Sequence, residues 1–188
     1  MSVTSANRYL TQSEMEGNAR YIAAALLSRG WSVNAIAAML GNMESESGIN
    51  PGIYESLDST STTNGFGLVQ WTPNTKYKTW ADANGYAYGD IDGQITRIQY
   101  ELDNGLQWIS TDAYSMTFSE FSTSTQSPEK LAQAFLYNYE RPASLDQPNR
   151  STQARSWYTF INKEQIGGAV VPVKGMSKLL LYFAGTRR

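Results

Sequence analysis

The sequence of 188 residues predicts an α+β domain that is predominantly helical and carries one small β-hairpin. Apolar residues recur every three or four positions through most of the chain, which is typical of amphipathic helices, and only residues 52–72 break that period. A content of 41% hydrophobic and 17% charged residues fits one globular domain. The residue composition of the chain changes near residue 165. We therefore expect a main domain over residues 1–164 and a linker with an apolar and basic tail over residues 165–188.

The first two helices begin at recognisable caps. Thr11 and Glu14 form a capping box, and the helical pattern that follows stops at Gly30. Ser32 caps the second helix, which must end before Pro51 because proline cannot continue it. The apolar stripe of this second helix consists of Ile36, Met39, Leu40 and Met43.

Residues 52–72 predict the hairpin. Residues 53–57 suit a short strand that ends near Asp58, a polar loop follows, and residues 65–72 suit a returning strand. Gly65 and Gly67 weaken a strand unless something approaches its backbone closely. A ligand is one such neighbour, and a bulge or tight bend explains the glycines equally well.

Helices return after the hairpin. Their predicted starts are Pro73 with Asn74, Asp90, the capping box Thr117 with Glu120, Pro128 after Ser127, and about Asn149. The helix that begins at Pro128 is expected to continue as far as the dipeptide Arg141-Pro142.

Two glutamates lie at the end of the second helix. At 100° per residue, Glu44 and Glu46 fall on opposite edges of its apolar stripe, so helical geometry alone does not choose between a catalytic acid and a solvated side chain. Glu46 is nearer the C-terminal end, where the helix dipole disfavours an ionised carboxylate. A general acid benefits from such a position.

Missing residue types exclude several classes of enzyme. The chain has no cysteine and no histidine, which removes Ser-His-Asp and Cys-His catalysis and histidine-ligated or cysteine-ligated metal sites. We therefore expect no metal and no other cofactor. The net charge of −2 disfavours nucleic acid as a partner. No transmembrane segment and no secretory signal peptide are expected from the sequence.

Three motifs in order resemble the phage tail lysozyme family. They are Glu-Ser-Gly-Ile-Asn-Pro at residues 46–51, Gly-Phe-Gly-Leu-Val-Gln-Trp-Thr at residues 65–72, and Tyr-Glu-Arg-Pro at residues 139–142. The resemblance covers most of the chain, from about Tyr9 to about Trp157. The first two motifs are also similar to those of soluble lytic transglycosylases and goose-type lysozymes.

The resemblance implies a lysozyme-like fold in which the hairpin lines a glycan cleft. It implies cleavage of the β-1,4 bond between N-acetylmuramic acid and N-acetylglucosamine in peptidoglycan, with Glu46 as the general acid. It leaves Glu44 on the helix surface. The expected substrate-binding residues are Asn50, Gly67, Gln70, Trp71 and Tyr139. Of these, Tyr139 matches a tyrosine that contacts the catalytic acid in related transglycosylases.

The second catalytic group remains open at the level of sequence. Asp58 is the candidate, as base, nucleophile or charge stabiliser. Its alternative is an ordinary turn aspartate that bonds its own backbone. A transglycosylase mechanism, in which the sugar attacks itself and forms an anhydro product, would need no second carboxylate.

The biological setting also follows from the resemblance. A tail lysozyme travels on the virion and opens the cell wall from the phage tail tip, and residues 169–188 are a candidate docking segment for other tail proteins. The alternative is a free endolysin held in the host cytoplasm until a holin releases it. A different class of function is an inactive glycan-binding module or a structural plug of the tail.

Overall fold

The computed structural model describes residues 2–164 and 166. This part of the chain is predominantly helical, as predicted. Its α-helices are α1 (Gln12–Leu27), α2 (Val33–Ser47), α3 (Thr75–Asn84), α4 (Ile91–Asp103), α5 (Phe118–Thr123), α6 (Pro128–Phe135) and α7 (Asn149–Lys163). A 3₁₀ turn covers Glu55–Leu57 and a π-helical turn covers Leu136–Glu140.

The predicted helix caps are confirmed. Thr11 and Glu14 form the capping box of α1, and Thr117 and Glu120 form that of α5. Each box satisfies backbone N–H groups that the first turn of a helix leaves without a partner. The chain leaves α2 at Gly48, whose φ of 62° is a left-handed conformation that glycine adopts without strain.

Helix α2 is the centre of the fold. Its residues from Ala35 to Met43 are buried, and it packs against α6 and α7, which also contact each other. Gly41 permits the close approach of α7, because a Cβ atom there would lie 2.6 Å from the backbone nitrogen of Ala154 and 2.7 Å from the carbonyl oxygen of Arg150. The same approach brings Arg150 beside the last turns of α2.

The structure does not show the predicted β-hairpin. The described residues in this region form one isolated antiparallel bridge, between Tyr54 and Phe66. Longer pairing is prevented by left-handed backbone on both sides of the loop, since φ is 55° at Ser56 and 78° at Gly67. The segment therefore turns sharply after the single bridge, although the two arms still run next to each other.

Helix α6 differs from its prediction at its C-terminal end. The α-helical hydrogen bonding stops at Phe135, and the next five residues form a wider π turn that closes with a bond from the Arg141 N–H to the Leu136 carbonyl at 2.8 Å. Arg141 itself has a φ of 49°. Such π turns occur preferentially at functional sites, and this one contains Tyr139 and Glu140.

The predicted division between a main domain over residues 1–164 and a tail over residues 165–188 stays a prediction. The linker and tail predicted over residues 165–188, including the docking segment 169–188, lie outside the described residues apart from Ile166. Among the helices that are described, none has the length and apolar character needed to cross a membrane.

Candidate active site

A cleft of about 370 Å³ lies beside the C-terminal end of α2. Most of its lining comes from the last turn of α2, from residues 69–72 and from the π turn after α6 with the two residues that follow it, and single residues of the 3₁₀ turn, of α3 and of the loop after α4 complete it. The lining residues are Glu46, Glu55, Val69, Gln70, Trp71, Thr72, Lys76, Gln107, Tyr139, Glu140, Arg141 and Pro142.

Glu46 is paired with a buried arginine. Its Oε1 atom accepts a hydrogen bond from Nη2 of Arg150 at 2.5 Å. The Glu46 side chain is 21% exposed and that of Arg150 only 5%. The carboxylate is therefore held in one position at the cleft while part of it stays open to a ligand.

Arg150 is itself fixed by three other contacts. Its Nε donates to Oε1 of Gln147 at 2.7 Å, and its Nη1 donates to Oδ1 and to the carbonyl oxygen of Asn42 at 3.0 and 3.4 Å. Asn42 is completely buried in α2. The guanidinium group thus ties α7 to α2 directly behind Glu46.

Glu44 faces a different surface. Its Oε2 accepts a hydrogen bond from Nε1 of Trp157 at 2.7 Å, and it lines a separate hollow between α1 and α7. The two glutamates that helical geometry left equivalent are therefore separated by the structure, and only Glu46 lines the cleft.

The glycine-rich segment forms one wall of the cleft. Gln70 and Trp71 of this segment line the cleft, and the backbone of Gln70 is left-handed, with a φ of 47°. The Nε2 of Gln70 donates to the carbonyl oxygen of Gly67 at 2.9 Å. Its amide group is therefore engaged within the segment, at the surface of the cleft.

The side chain of another residue packs closely against Gly67. A Cβ atom on Gly67 would lie 2.6 to 2.8 Å from the amide group of Gln94. That buried amide accepts from the N–H of Leu68 at 2.8 Å and donates to the carbonyl of Pro51 at 2.6 Å. The close neighbour that the sequence indicated at this glycine is therefore Gln94, and Gly67 is not among the residues that line the cleft.

A buried glutamate joins two walls of the cleft. Glu101 is 1% exposed, and it accepts hydrogen bonds from Nε1 of Trp71 at 3.0 Å and from the hydroxyl of Tyr139 at 2.5 Å. Arg97 adds a third bond from Nε at 2.9 Å. Burial raises the pKa of Glu101, and these three donors act against that rise.

Tyr139 lines the cleft, and its hydroxyl has a partner other than Glu46. Resemblance to transglycosylases implied a contact with the catalytic acid, whereas the hydroxyl donates to Glu101. The ring stacks on Phe135, with centroids 4.4 Å apart. The side chain is therefore held from both ends.

Asp58 and Asn50 lie elsewhere in the structure. Asp58 is exposed in the loop, where its Oδ1 accepts from the N–H and hydroxyl of Thr60 at 2.9 and 2.6 Å, and these bonds lower its pKa. Asn50 is fully buried, and its Nδ2 donates to the carbonyls of Ala6 and Arg8, both at 2.7 Å. Neither residue lines the cleft.

Glu140 is a cleft residue that the sequence did not single out. Its Oε1 is buried and has no hydrogen-bond partner among the described residues. Burial raises the pKa of Glu140 well above its ordinary value, and the charge of Glu46 adds to the rise. The signal was present in the sequence, because Glu140 belongs to the Tyr-Glu-Arg-Pro motif.

Charged side chains at the rim were also not anticipated. Glu55 is exposed and accepts from the N–H of Gly65 at 2.8 Å, and Lys76 and Arg141 supply positive charge. No sequence pattern marks Glu55 or Lys76. Within the described part of the chain, no group of three or more acidic side chains is arranged to hold a metal ion.

Comparison with known proteins agrees with the resemblance seen in the motifs. The phage tail lysozyme family matches residues 17–161, a range that includes the whole cleft. Over 164 residues the chain is 54% identical to "Morphogenesis protein 1" of Bacillus phage B103, and the match covers 87% of this chain and 44% of that protein. The chain thus spans less than half the length of this curated relative. On this evidence, the chain belongs to the phage tail lysozyme family.

Proposed function

We propose that this domain is a peptidoglycan hydrolase that cleaves the β-1,4 bond between N-acetylmuramic acid and N-acetylglucosamine, with Glu46 as its general acid. The observation that carries the proposal is the position of Glu46, which is partly exposed in a cleft of about 370 Å³ in a member of the phage tail lysozyme family. The fold we propose is the lysozyme-like one, with the bridged segment in place of a hairpin.

The cleft offers suitable chemistry for a glycan. A general acid must reach the glycosidic oxygen and protonate it as the bond breaks. In the proposed complex, Gln70 contacts the sugars beside Glu46, and Trp71 and Tyr139, which are 3% and 1% exposed, support the cleft wall from behind. Gly67 and Asn50 contribute indirectly, since Gly67 shapes the wall and Asn50 anchors the chain that leads into it.

The role predicted for Asp58 stays a prediction. As a second catalytic carboxylate it would need to approach the sugar from the loop, because its present bonds are to Thr60. The variant Asp58→Asn tests this role. A fall in kcat at unchanged KM would support it, and full activity would remove Asp58 from the mechanism.

Product analysis distinguishes this hydrolase from the alternative lytic transglycosylase. Purified peptidoglycan is digested with the protein, and the fragments are weighed by mass spectrometry. Hydrolysis adds water and gives reducing muramic acid ends, whereas a transglycosylase gives anhydro ends. Reducing ends are the expected result. Binding of glycan without any released fragment would indicate an inactive binding or structural module instead.

We further propose that the protein acts from the virion, at the phage tail tip, on the bacterial cell wall. Its similarity to a phage morphogenesis protein supports this setting. The partners would be peptidoglycan strands and other tail proteins, the latter through residues 169–188. Purified phage particles should contain the protein. Its presence only in infected cells, with none in particles, would favour the free endolysin.

A further inference from the structure

We infer that Arg141 is a specificity-determining residue of the cleft and that it binds a carboxylate carried by the muramic acid units of the glycan. Such a carboxylate has two sources: the free lactyl group of a muramic acid without peptide, and the acidic groups of a stem peptide. The inference rests on the proposed function, because it names the part of peptidoglycan that the cleft recognises. Neither the motifs nor the comparisons had given Arg141 a role.

The guanidinium group of Arg141 is held in place by main-chain oxygens. Its Nη1 donates to the carbonyl oxygen of Gln107 at 2.5 Å and to that of Asn138 at 2.6 Å. The N–H groups of Nε and Nη2 make no hydrogen bond within the described part of the chain. This edge of a guanidinium group carries parallel donors, which is the arrangement that binds a carboxylate through two hydrogen bonds.

The backbone also fixes how Arg141 leaves the π turn. The residue directly follows the turn with a φ of 49°, and its N–H donates to the carbonyl oxygen of Leu136 at 2.8 Å. Left-handed residues other than glycine are uncommon, and they cluster at active sites and ligand clamps. Arg141 is exposed and lines the same cleft as Glu46. Its guanidinium group is therefore anchored through one nitrogen and open to a ligand through the other two.

No carboxylate of the described residues lies within ion-pair distance of Arg141. The ion pairs in this part of the chain involve other basic residues, and neither Arg141 nor Lys76 of the cleft is in any of them. The carboxylate of Glu46 is paired with Arg150. The neighbouring Glu140 is buried, and burial raises its pKa well above the ordinary value, which favours its neutral form.

The two cations without a counterion give the cleft a preference among glycans. A strand of N-acetylglucosamine alone is uncharged, so a positive charge beside it adds no electrostatic attraction. Muramic acid units carry negative charge, through the lactyl group or through the peptide attached to it. Charge complementarity of this kind provides specificity for one ligand over a neutral one of similar shape.

Binding measured without cleavage tests the role of Arg141. Glu46→Gln is the parent protein, and isothermal titration calorimetry gives its affinity for three tetrasaccharides of alternating N-acetylglucosamine and N-acetylmuramic acid. One has free lactyl carboxylates, one has stem peptides, and one has lactyl groups converted to neutral methylamides. We expect a charged ligand to bind about tenfold or more tightly than the amide, because hydrogen bonds to charged groups contribute that much. The tighter of the two charged ligands identifies the source of the carboxylate.

Replacing Arg141 in this parent should remove the preference. In Arg141→Gln the ratio of the two affinities, charged over neutral, should fall to about one, because the amide side chain has no charge to attract the carboxylate. Arg141→Lys keeps a charge but lacks the parallel donors, so its ratio should lie between those of Arg141→Gln and the parent. Arg155→Gln is the matched control, since Arg155 pairs with Glu129 outside the cleft and its loss should leave the ratio unchanged.

Two results would overturn the inference. One is equal binding of the charged and neutral ligands by the parent protein. The other is an unchanged ratio in a folded Arg141→Gln, because a purely structural role through Gln107 and Asn138 would weaken all three ligands alike. Circular dichroism confirms folding, and Arg141→Lys provides the comparison if Arg141→Gln does not fold, an unchanged ratio again being the contrary result.

The outcome for Arg141 is separable from that for Glu46. If Glu46→Gln retained activity, the ratio of kcat/KM values for the charged and neutral ligands would replace the ratio of affinities. The general acid would then be wrongly assigned, but Arg141 would still be tested. Peptidoglycan cleavage by the wild type together with equal binding of the ligands would overturn only the role of Arg141. Absence of binding to all three ligands would contradict both proposals.

Discussion

The carboxylate of Glu46 and the guanidinium group of Arg150 lie 2.5 Å apart, although the two residues are 104 positions apart in the chain. The pair joins the end of α2 to the start of α7 at the edge of the cleft. Because Arg150 also donates to Asn42 and Gln147, its position does not depend on Glu46 alone. The position of Glu46 at the cleft therefore depends on a contact between two helices that are distant in sequence.

Replacing Arg150 should destabilise the fold. Arg150→Gln leaves Oδ1 of the buried Asn42 without its donor and Glu46 without its counterion. Unpaired buried groups of this kind cost about 1–3 kcal/mol, and we expect a loss of that size in the free energy of unfolding. Urea denaturation followed by circular dichroism measures it.

Arg155→Gln is the control for that experiment. Arg155 lies on the same helix and pairs with Glu129, but both side chains are well exposed, at 49% and 36%. An exposed ion pair contributes about 0–1 kcal/mol. If Arg150→Gln were no more destabilising than Arg155→Gln, the buried contact would not have the structural role described above.

Tyr139→Phe should reveal what the tyrosine hydroxyl contributes. The ring still packs on Phe135, but Glu101 loses a donor at 2.5 Å. We expect the unfolding free energy to fall by about 1–3 kcal/mol, as for other buried acceptors left without a partner. A change in KM alone, with unaltered stability, would instead indicate that the hydroxyl acts on the substrate.

Gly67→Ala should be more harmful than Gly85→Ala. Both glycines have a left-handed backbone, with φ of 78° and 74°, but only at Gly67 would the new Cβ atom meet a side chain, that of Gln94. The strain of the left-handed conformation costs about 1–2 kcal/mol in each variant. The collision should add about 1–3 kcal/mol to Gly67→Ala.

Thermal unfolding of the two glycine variants provides the comparison. Peptidoglycan turnover should fall only in Gly67→Ala, because the displaced segment includes Gln70 and Trp71 of the cleft wall. Equal melting temperatures would show that Gln94 does not pack tightly against this glycine.

Stability should decrease as the pH rises above the ordinary glutamate pKa of about 4.3. The pKa of Glu140 is higher in the folded protein than in the unfolded chain, because the folded protein buries it. Its contribution to stability is therefore complete below the ordinary glutamate pKa of about 4.3 and is lost as the pH rises through the raised value. In Glu140→Gln, the melting temperature should change less with pH over this window.

Some slope should remain in that variant, since burial raises the pKa of Glu101 in the same direction. Melting curves recorded from pH 4 to pH 9 would show the difference. Identical slopes in the wild type and in Glu140→Gln would contradict the buried position of this carboxyl group.

Local signals in the sequence predicted most of the helices. Thr11 with Glu14 and Thr117 with Glu120 form capping boxes whose partners lie three residues apart. Such short-range contacts can be recognised directly in the sequence. The prediction of the hairpin was wrong because the backbone conformation of one residue in this segment is not visible in the sequence pattern. The pattern shows that Gly67 tolerates a left-handed backbone, but it does not show that Ser56 also adopts one.

The candidate site was only partly predictable, because its contacts are long-range. The motifs pointed to Glu46, Gln70, Trp71 and Tyr139, which all line the cleft. Arg150 comes from another helix and Glu140 from a π turn that helical periodicity does not anticipate. Tyr139 shows the same limit, since its position was expected but its bond to Glu101 depends on where α4 packs.

The release of soluble fragments from purified peptidoglycan by the wild type, Glu46→Gln and Glu44→Gln tests the central proposal most directly. Glu46→Gln keeps the shape of the side chain but has no transferable proton, so it should release no fragments while it still folds and binds chito-oligosaccharide. Glu44→Gln should remain active, since Glu44 bonds Trp157 outside the cleft. Fragment release by Glu46→Gln at the rate of the wild type would contradict the assignment of Glu46 as the general acid.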